Sequence, residues 1–175
     1  MIEVEIKLPL KDQEVARSKL KELGAYSIGA EKQMDVYYNA PHRNLAETDE
    51  ALRIRCGKDA SLTYKGPKLD KMSKTRKEIV VSIADADQTS AILEALGFDE
   101  VARVTKHREA YRLDDFMITI DDVFGLGTFM EIEASVPEEC DYRSAQDRIF
   151  ELVDRLGLKK EDTIRESYLE LILDR

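Results

Sequence analysis

From Ile2 to Leu8 apolar and charged residues alternate without a break, with Ile2, Val4, Ile6 and Leu8 on one set of positions and Glu3, Glu5 and Lys7 on the other. Side chains of a β-strand repeat every two residues, so this spacing predicts a strand with one apolar face and one face bearing two carboxylates and an ammonium. The pattern recurs. Over 51–57, Leu52, Ile54 and Cys56 alternate with Arg53 and Arg55; over 61–66, Leu62 and Tyr64 alternate with Thr63 and Lys65. Over 76–83, Lys77, Ile79, Val81 and Ile83 oppose Arg76, Glu78, Val80 and Ser82. Over 104–113, Lys106 and Arg108 share a face opposite His107, Glu109 and Tyr111, and the run 116–121 ends in Asp121 on the face of Thr119. Finally Met130, Ile132, Ala134 and Val136 alternate with Glu131 and Glu133. A half-exposed antiparallel sheet with its charges in water shows the same alternation. The recurrence of paired charge in nearly every strand asks for more than that.

Helical spacing predicts helices over 11–23, with Val15, Leu20 and Leu23 near one face, over 87–96, and over 142–156, with Ile149, Leu152, Val153 and Leu156 as its stripe. Each ends in Leu-Gly, at Gly24, Gly97 and Gly157, as suits a helix C-terminus, and each follows a charged strand, which hints at a repeated strand and helix unit. The segment 161–173 is expected to close the chain as a helix. An irregular loop is expected over 39–48, with Pro41 and His42, and a hairpin loop or basic flap over 66–75, with Pro67, Lys68, Lys71 and Lys74. Eight or so mostly antiparallel strands either lie open or close into a barrel. Amphipathic helices need apolar surface to cover. That favours an α+β fold in which an eight-stranded antiparallel β-barrel turns its apolar faces outward against the helices and lines an internal tunnel with its charges.

Composition sharpens this. A chain of 175 residues fits one domain over 1–175 and can bury a sizeable core. The net charge of -9 argues against a nucleic-acid surface, so the cations gathered on strand faces point to a local anion site. Cys56 and Cys140 are too few and too far apart for a disulfide framework or a metal spacing, which fits a reducing cytoplasm. No apolar run approaches the ~18 residues of a membrane span, and the first residues carry no cationic leader, so a soluble, cytoplasmic protein without membrane partners is expected.

A ligand that needs both clustered carboxylates and clustered cations is a metal triphosphate. Glu3, Glu5, Asp121, Glu131 and Glu133 would hold Mg²⁺ or Mn²⁺ through hard oxygen ligands. Arg53, Arg55, Lys65, Lys106 and Arg108, joined by Lys7 and Arg76, would meet phosphate oxygens. The cysteine and both histidines take the plainer reading. Cys56 shares an apolar face, His42 lies in a loop, and His107 faces away from Lys106 and Arg108. Glu78 is read as an ion-pair partner of a neighbouring arginine, Asp122 as pointing away from Asp121, and Glu170 and its neighbours as a possible plug for a tunnel mouth.

The ordered motifs resemble the CYTH superfamily of triphosphate tunnel enzymes. They are Glu-x-Glu-x-Lys at Glu3, Glu5 and Lys7, then Glu50-Ala51-Leu52-Arg53-Ile54-Arg55, Thr63-Tyr64-Lys65-Gly66-Pro67, Lys106-His107-Arg108, Ile120-Asp121-Asp122-Val123 and Glu131-Ile132-Glu133. The resemblance implies an eight-stranded tunnel, a divalent metal on the acidic residues and phosphates on the basic ones. The runs 45–55 and 126–133 look closest to the class IV adenylyl cyclase-like branch, which implies conversion of ATP to cyclic AMP and pyrophosphate. The related thiamine triphosphatases make hydrolysis of thiamine triphosphate, inorganic tripolyphosphate or a nucleoside triphosphate the alternative, and a non-catalytic nucleotide or polyphosphate-binding module the next. Asp35-Val36-Tyr37-Tyr38 resembles a thiamine triphosphatase segment whose tyrosine works with a lysine, so Lys65 with Tyr38 or Tyr37 is the expected proton acceptor, with Lys7 beside it. The partner is then a small-molecule triphosphate, and the chain a monomer or homodimer.

Overall fold

The computed structural model describes residues 1–69, 71, 73–138 and 141–175. In chain order it contains β1 (Ile2–Pro9), α1 (Gln13–Glu22), β2 (Tyr26–Asn39), β3 (Ala51–Cys56), β4 (Ser61–Lys68), β5 (Arg76–Ser82), α2 (Ala86–Ala95), β6 (Asp99–Leu113), β7 (Phe116–Val123), β8 (Gly127–Val136), α3 (Tyr142–Arg155), a 3₁₀ turn at Lys160–Asp162 and α4 (Tyr168–Leu173). Helix starts are set by side chains that accept from first-turn amides: Asp12 for α1, Asp85 for α2 and Asp141 for α3. Helices α1 and α2 stop at Gly24 and Gly97, both at φ 87°, a conformation that costs glycine least.

Eight antiparallel strands close into a ring in the order β1-β5-β4-β3-β2-β6-β7-β8, with β8 returning to β1. The register sets inward residues opposite one another. Glu5 faces Glu133, Lys7 faces Glu131, Asp35 faces Arg55, Lys65 faces Glu78 and Arg108 faces Asp121.

The apolar faces look outward. Val4, Ile6, Ile118 and Ile132 pack with Leu20 of α1 and with Ile149, Leu152 and Val153 of α3. Val36, Tyr38 and Ile54 pack with Leu93 of α2. Each such side chain contributes roughly 1.5–3 kcal/mol when fully buried. Cys56 joins the second cluster at its edge, while Cys140 lies outside the described residues. Two expectations about cover need correction. Val15 is 57% exposed, its expected place in the α1 stripe taken by Ala16, and Ile79 and Val81 on the outer face of β5 are 57% and 53% exposed. Three long helices do not reach around eight strands.

The chain end also departs from the expected helix over 161–173. β1 is longer than its pairing with β5, which covers only Ile2 and Glu3, so its remaining edge carbonyls need other donors. Lys74 N donates to Glu5 O at 3.0 Å and Ile164 N donates to Lys7 O at 2.8 Å. Held extended by that second bond, the tail becomes helical only at Tyr168, where Ser167 and Glu170 form a capping box. The described part of 66–75 joins the antiparallel pair β4 and β5, as the hairpin alternative expects. β4 continues to Lys68, and Ser73, Lys74 and Thr75 turn inward and are buried, with Asp70 and Met72 outside the described residues.

Candidate functional site

The inward faces enclose a cavity of about 330 Å³ lined by residues of both signs, among them Glu3, Glu5, Arg53, Arg55, Lys65 and Arg108. The charges are arranged in linked groups. Asp35, fully buried on β2, accepts from Arg55 at 2.8 and 2.9 Å, from Arg53 at 3.4 Å and from Lys106 at 3.5 Å. Burial would raise its pKa, but Arg53, Lys106 and Arg55 outweigh that and hold it well below the carboxylate range. Asp121 accepts from Arg108 Nε at 2.7 Å and Nη2 at 2.5 Å, and from the Tyr168 hydroxyl at 2.9 Å. The same Arg108 Nη2 donates to Glu131 at 2.6 Å.

A third group joins β1, β8 and the inward-turned segment. Lys74 Nζ donates closely to Glu5 and at 3.2 Å to Glu131. Burial, Lys74 and Arg108 compete at Glu131; the two cations win and keep it ionised. Glu5 moves the other way, raised by burial and by Glu131. Glu3 is raised by burial, against the pull of Lys65. Glu133 is pushed up to about 8 by burial and by Glu3, and among the described residues no cation lies within ion-pair distance of it.

The tail enters this network. The Tyr168 ring lies under three ammonium groups, with Lys7 Nζ at 4.2 Å, Lys106 at 5.2 Å and Lys74 at 5.9 Å from its centroid. Lys7 Nζ donates to Glu166 O, and Glu170 accepts from Lys68 at 3.0 Å. Tyr168, Phe129, Tyr37, Val104 and Val123 form an apolar cluster on the inward faces, so α4 sits against one end of the tunnel. Burial and the Lys74 charge lower Lys7 to about 7, and burial and Arg108 lower Lys106 to about 8.

Every expected phosphate ligand reaches the inward side, though they differ in commitment. Arg53 makes only 3.4 Å contacts with Asp35 and Thr63, and its Nε has no partner among the described residues. Arg76 reaches Asp49 at 3.7 Å. Two expected proton-transfer groups need correction. Tyr38 turns outward, its hydroxyl 2.5 Å from Ser90 of α2, and the inward tyrosine is Tyr37, raised by burial and by Asp35. Lys65 donates to Glu78 and lies 3.7 Å from Glu3; these carboxylates overcome burial and raise it, so it stays charged at neutral pH. Glu78 pairs with that lysine rather than with an arginine. His42, His107 and Asp122 are exposed.

Sequence reasoning missed Asp35, Lys74 and Tyr168. Asp35 was in view, two positions from Tyr37, but the phase of that strand was open. Lys74 and Tyr168 lie where no alternation leads to them. For a divalent ion the donor chemistry fits: Glu3, Glu5 and Glu133 offer hard oxygen ligands whose pKa values are raised, first by burial and then by neighbouring carboxylates, so a cation arriving beside them would favour their ionised form. No three acidic, histidine or cysteine side chains among the described residues are gathered into a ready-made metal site. Asp121 is bound to Arg108 and Tyr168, one strand away from Glu133.

A family model, the CYTH domain, matches residues 1–168. The chain belongs to the CYTH family. A relative from Methanocaldococcus jannaschii, "Putative adenylate cyclase MJ0240", is 44% identical over 173 residues, covering 98% of both chains. "Adenylate cyclase CyaB" of Aeromonas hydrophila is 28% identical over 173 residues, 97% of this chain and 87% of the relative. Among solved structures, protein PH1819 of Pyrococcus horikoshii OT3 superposes with a TM-score of 0.90 at 40% identity, covering 98% of each chain. This CYTH chain therefore shares its ring of strands along its whole length with a solved relative.

Proposed function

We propose that this CYTH protein is a metal-dependent enzyme that binds ATP by its triphosphate inside the ring and converts it to cyclic AMP and pyrophosphate. The observation that carries the reading is the register, which sets cations and carboxylates face to face on the inward side of a closed ring. The names of the two relatives favour cyclisation as the reaction.

In that reaction the ribose 3′-oxygen loses its proton and bonds to the α-phosphorus, and the bond from that phosphorus to the bridging oxygen breaks as pyrophosphate leaves. Glu3, Glu5, Glu131 and Glu133 would hold Mg²⁺ or Mn²⁺, which when bound neutralises phosphate charge and makes an adjacent hydroxyl more acidic. Arg53, whose Nε has no partner among the described residues and whose other contacts are weak, is the cation readiest to turn to phosphate oxygens, and Arg55 and Arg108 are fixed by their carboxylates in positions to assist. A proton acceptor works best with a pKa near the operating pH, and Lys7, at about 7, meets that condition where Lys65 does not. The same groups would serve a water attacking the terminal phosphorus.

The test supplies the purified protein and Mg²⁺ or Mn²⁺ with ATP, thiamine triphosphate and tripolyphosphate in turn while cyclic AMP, pyrophosphate and phosphate are measured. Cyclic AMP with equal pyrophosphate is expected from ATP. Phosphate without cyclic AMP would replace cyclisation by hydrolysis, and metal-independent binding without turnover of any substrate would leave a binding module.

A further inference from the structure

Lys74 lies outside every strand, between β4 and β5, yet its ammonium occupies the space between Glu5 and Glu131, bonded closely to the first and at 3.2 Å to the second. Its side chain is 9% exposed and both carboxylates are buried, so the ammonium is a deliberate internal partner and not a surface ion pair. Its backbone is tied to the same strand by the bond from Lys74 N to Glu5 O. Glu5 and Glu131 are also two of the carboxylates assigned above to the divalent ion.

We infer that Lys74 is a tethered stand-in for the metal: its ammonium holds Glu5 and Glu131 in the ligand-free tunnel and passes to phosphate oxygens when a metal triphosphate enters. The inference rests on the metal-dependent reading of the site. An ammonium has three donors and no lone pair, so it and a divalent ion compete for the same carboxylate oxygens and repel each other across them. A metal arriving alone must displace Lys74 from both carboxylates without bringing an anion to receive it. A triphosphate supplies that anion. Metal and triphosphate therefore help each other bind, by the same factor in both directions, with the lysine as the coupling element. The flexible four-carbon stem outside the sheet suits a group that changes partners, whereas Arg55 and Arg108 are locked in two-point contacts.

The experiment titrates Mn²⁺ calorimetrically into the wild-type chain, Lys74→Gln and Lys74→Arg, with and without the α,β-methylene analogue of ATP. Mn²⁺ alone is expected to bind Lys74→Gln about tenfold or more tightly than wild type, since a unit charge beside the site is gone, and Lys74→Arg no more tightly than wild type. The gain in Mn²⁺ affinity caused by the analogue should be smaller in Lys74→Gln. Equal Mn²⁺ affinity of wild type and Lys74→Gln, where both bind Mn²⁺ with the analogue, overturns the stand-in role and spares the metal reading. No Mn²⁺ binding by any form, with or without the analogue, removes both. Should Lys74→Gln not fold, acylation of Lys74 in the wild-type chain, followed by mass spectrometry, serves instead: Mn²⁺ alone should raise labelling several-fold, and unchanged labelling overturns the inference.

Discussion

Asp35→Asn tests whether the buried carboxylate on β2 anchors the cationic wall. Asp35 is fully buried and is the shared partner of Arg53, Arg55 and Lys106. An asparagine of the same shape keeps one weak acceptor for Arg55 and removes the negative charge. Two charge-assisted bonds at 2.8 and 2.9 Å are degraded, each worth about 1.5–3 kcal/mol, and breaking a buried ion pair from one side costs about 3–5 kcal/mol. Lys106 limits the damage. Its pKa is already lowered to about 8, so it can release its proton near neutral pH at small cost, whereas the two guanidiniums cannot. A loss of about 3 kcal/mol follows, or roughly 6–12 °C in Tm at this chain length. Thermal unfolding by circular dichroism at pH 7.5 and low salt measures it, and tripolyphosphate should recover part of the loss by replacing the missing anion.

The pH profile separates this mechanism from others. Asp35 has a folded pKa below its ordinary value, so its stabilisation is fully present above the unfolded pKa of 3.8 and is lost as pH falls toward the folded value. The gap between wild type and Asp35→Asn should thus be fullest at about pH 5 to 6, narrow toward pH 8 as Lys106 of the variant, no longer held up by Asp35, loses its proton, and close below about pH 4. A gap under about 1 kcal/mol at pH 6, or one that does not close below about pH 4, would refute the anchoring argument.

Three other outcomes follow from the placement of side chains. Tyr38→Phe should cost about 1 kcal/mol through its lost bond to Ser90 and leave kcat unchanged, while Tyr37→Phe should lower kcat; equal kcat losses measured with ATP would contradict the outward and inward assignments. Glu133 has a folded pKa raised to about 8, so its contribution is present below the ordinary 4.5 and lost as pH rises through 8. Allowing for solvent in the cavity, ligand-free Glu133→Gln should be about 1–3 kcal/mol more stable than wild type at pH 8.5 and no different at pH 5, as urea melts would show. On the outer surface, Ile79→Thr should change stability by about 0.5 kcal/mol or less, whereas Ile149→Ala, fully buried under α3, should cost about 2–5 kcal/mol in the same melts.

Much of the ring was legible because one physical rule, the two-residue repeat of a strand, acts locally. Glu3, Glu5, Lys7, Arg53, Arg55, Glu131 and Glu133 each sit in a run where apolar neighbours fix the phase, and all point inward. The rule gives no phase where both members of a pair are bulky and amphipathic. Tyr37 and Tyr38 are such a pair, and the register shift between them shows that the strand is irregular at that point. Alternation also says nothing of what meets a strand edge. That β1 outruns β5, and that Lys74 and Ile164 therefore complete its backbone bonds, depends on strands distant in sequence. The expectation of Lys65 as a base comes from the resemblance of Asp35-Val36-Tyr37-Tyr38 to a thiamine triphosphatase segment, which carries no information on what surrounds the lysine. In space its neighbours are Glu78 across the β4–β5 pair and Glu3 on β1, the strand on the far side of β5, and these carboxylates raise its pKa.

The balance of charge inside the ring bears on how a ligand enters it. The inward cations Arg53, Arg55, Lys65, Lys74, Lys106 and Arg108 pair with Glu3, Glu5, Asp35, Glu78, Asp121 and Glu131, Arg76 pairs with Asp49, and Lys7 donates to a backbone carbonyl, so opposite charges largely offset inside the ring while the chain carries -9. A purely basic pocket would leave buried charges unpaired before ligand arrives, at several kcal/mol per ion. Here most of the cations are already paired with carboxylates, and binding becomes an exchange of partners. A bare triphosphate takes cations from Glu5, Glu131 and Asp35 and leaves those carboxylates buried without compensation. A triphosphate accompanied by a divalent cation compensates them as it arrives, so the interior stays near neutral throughout.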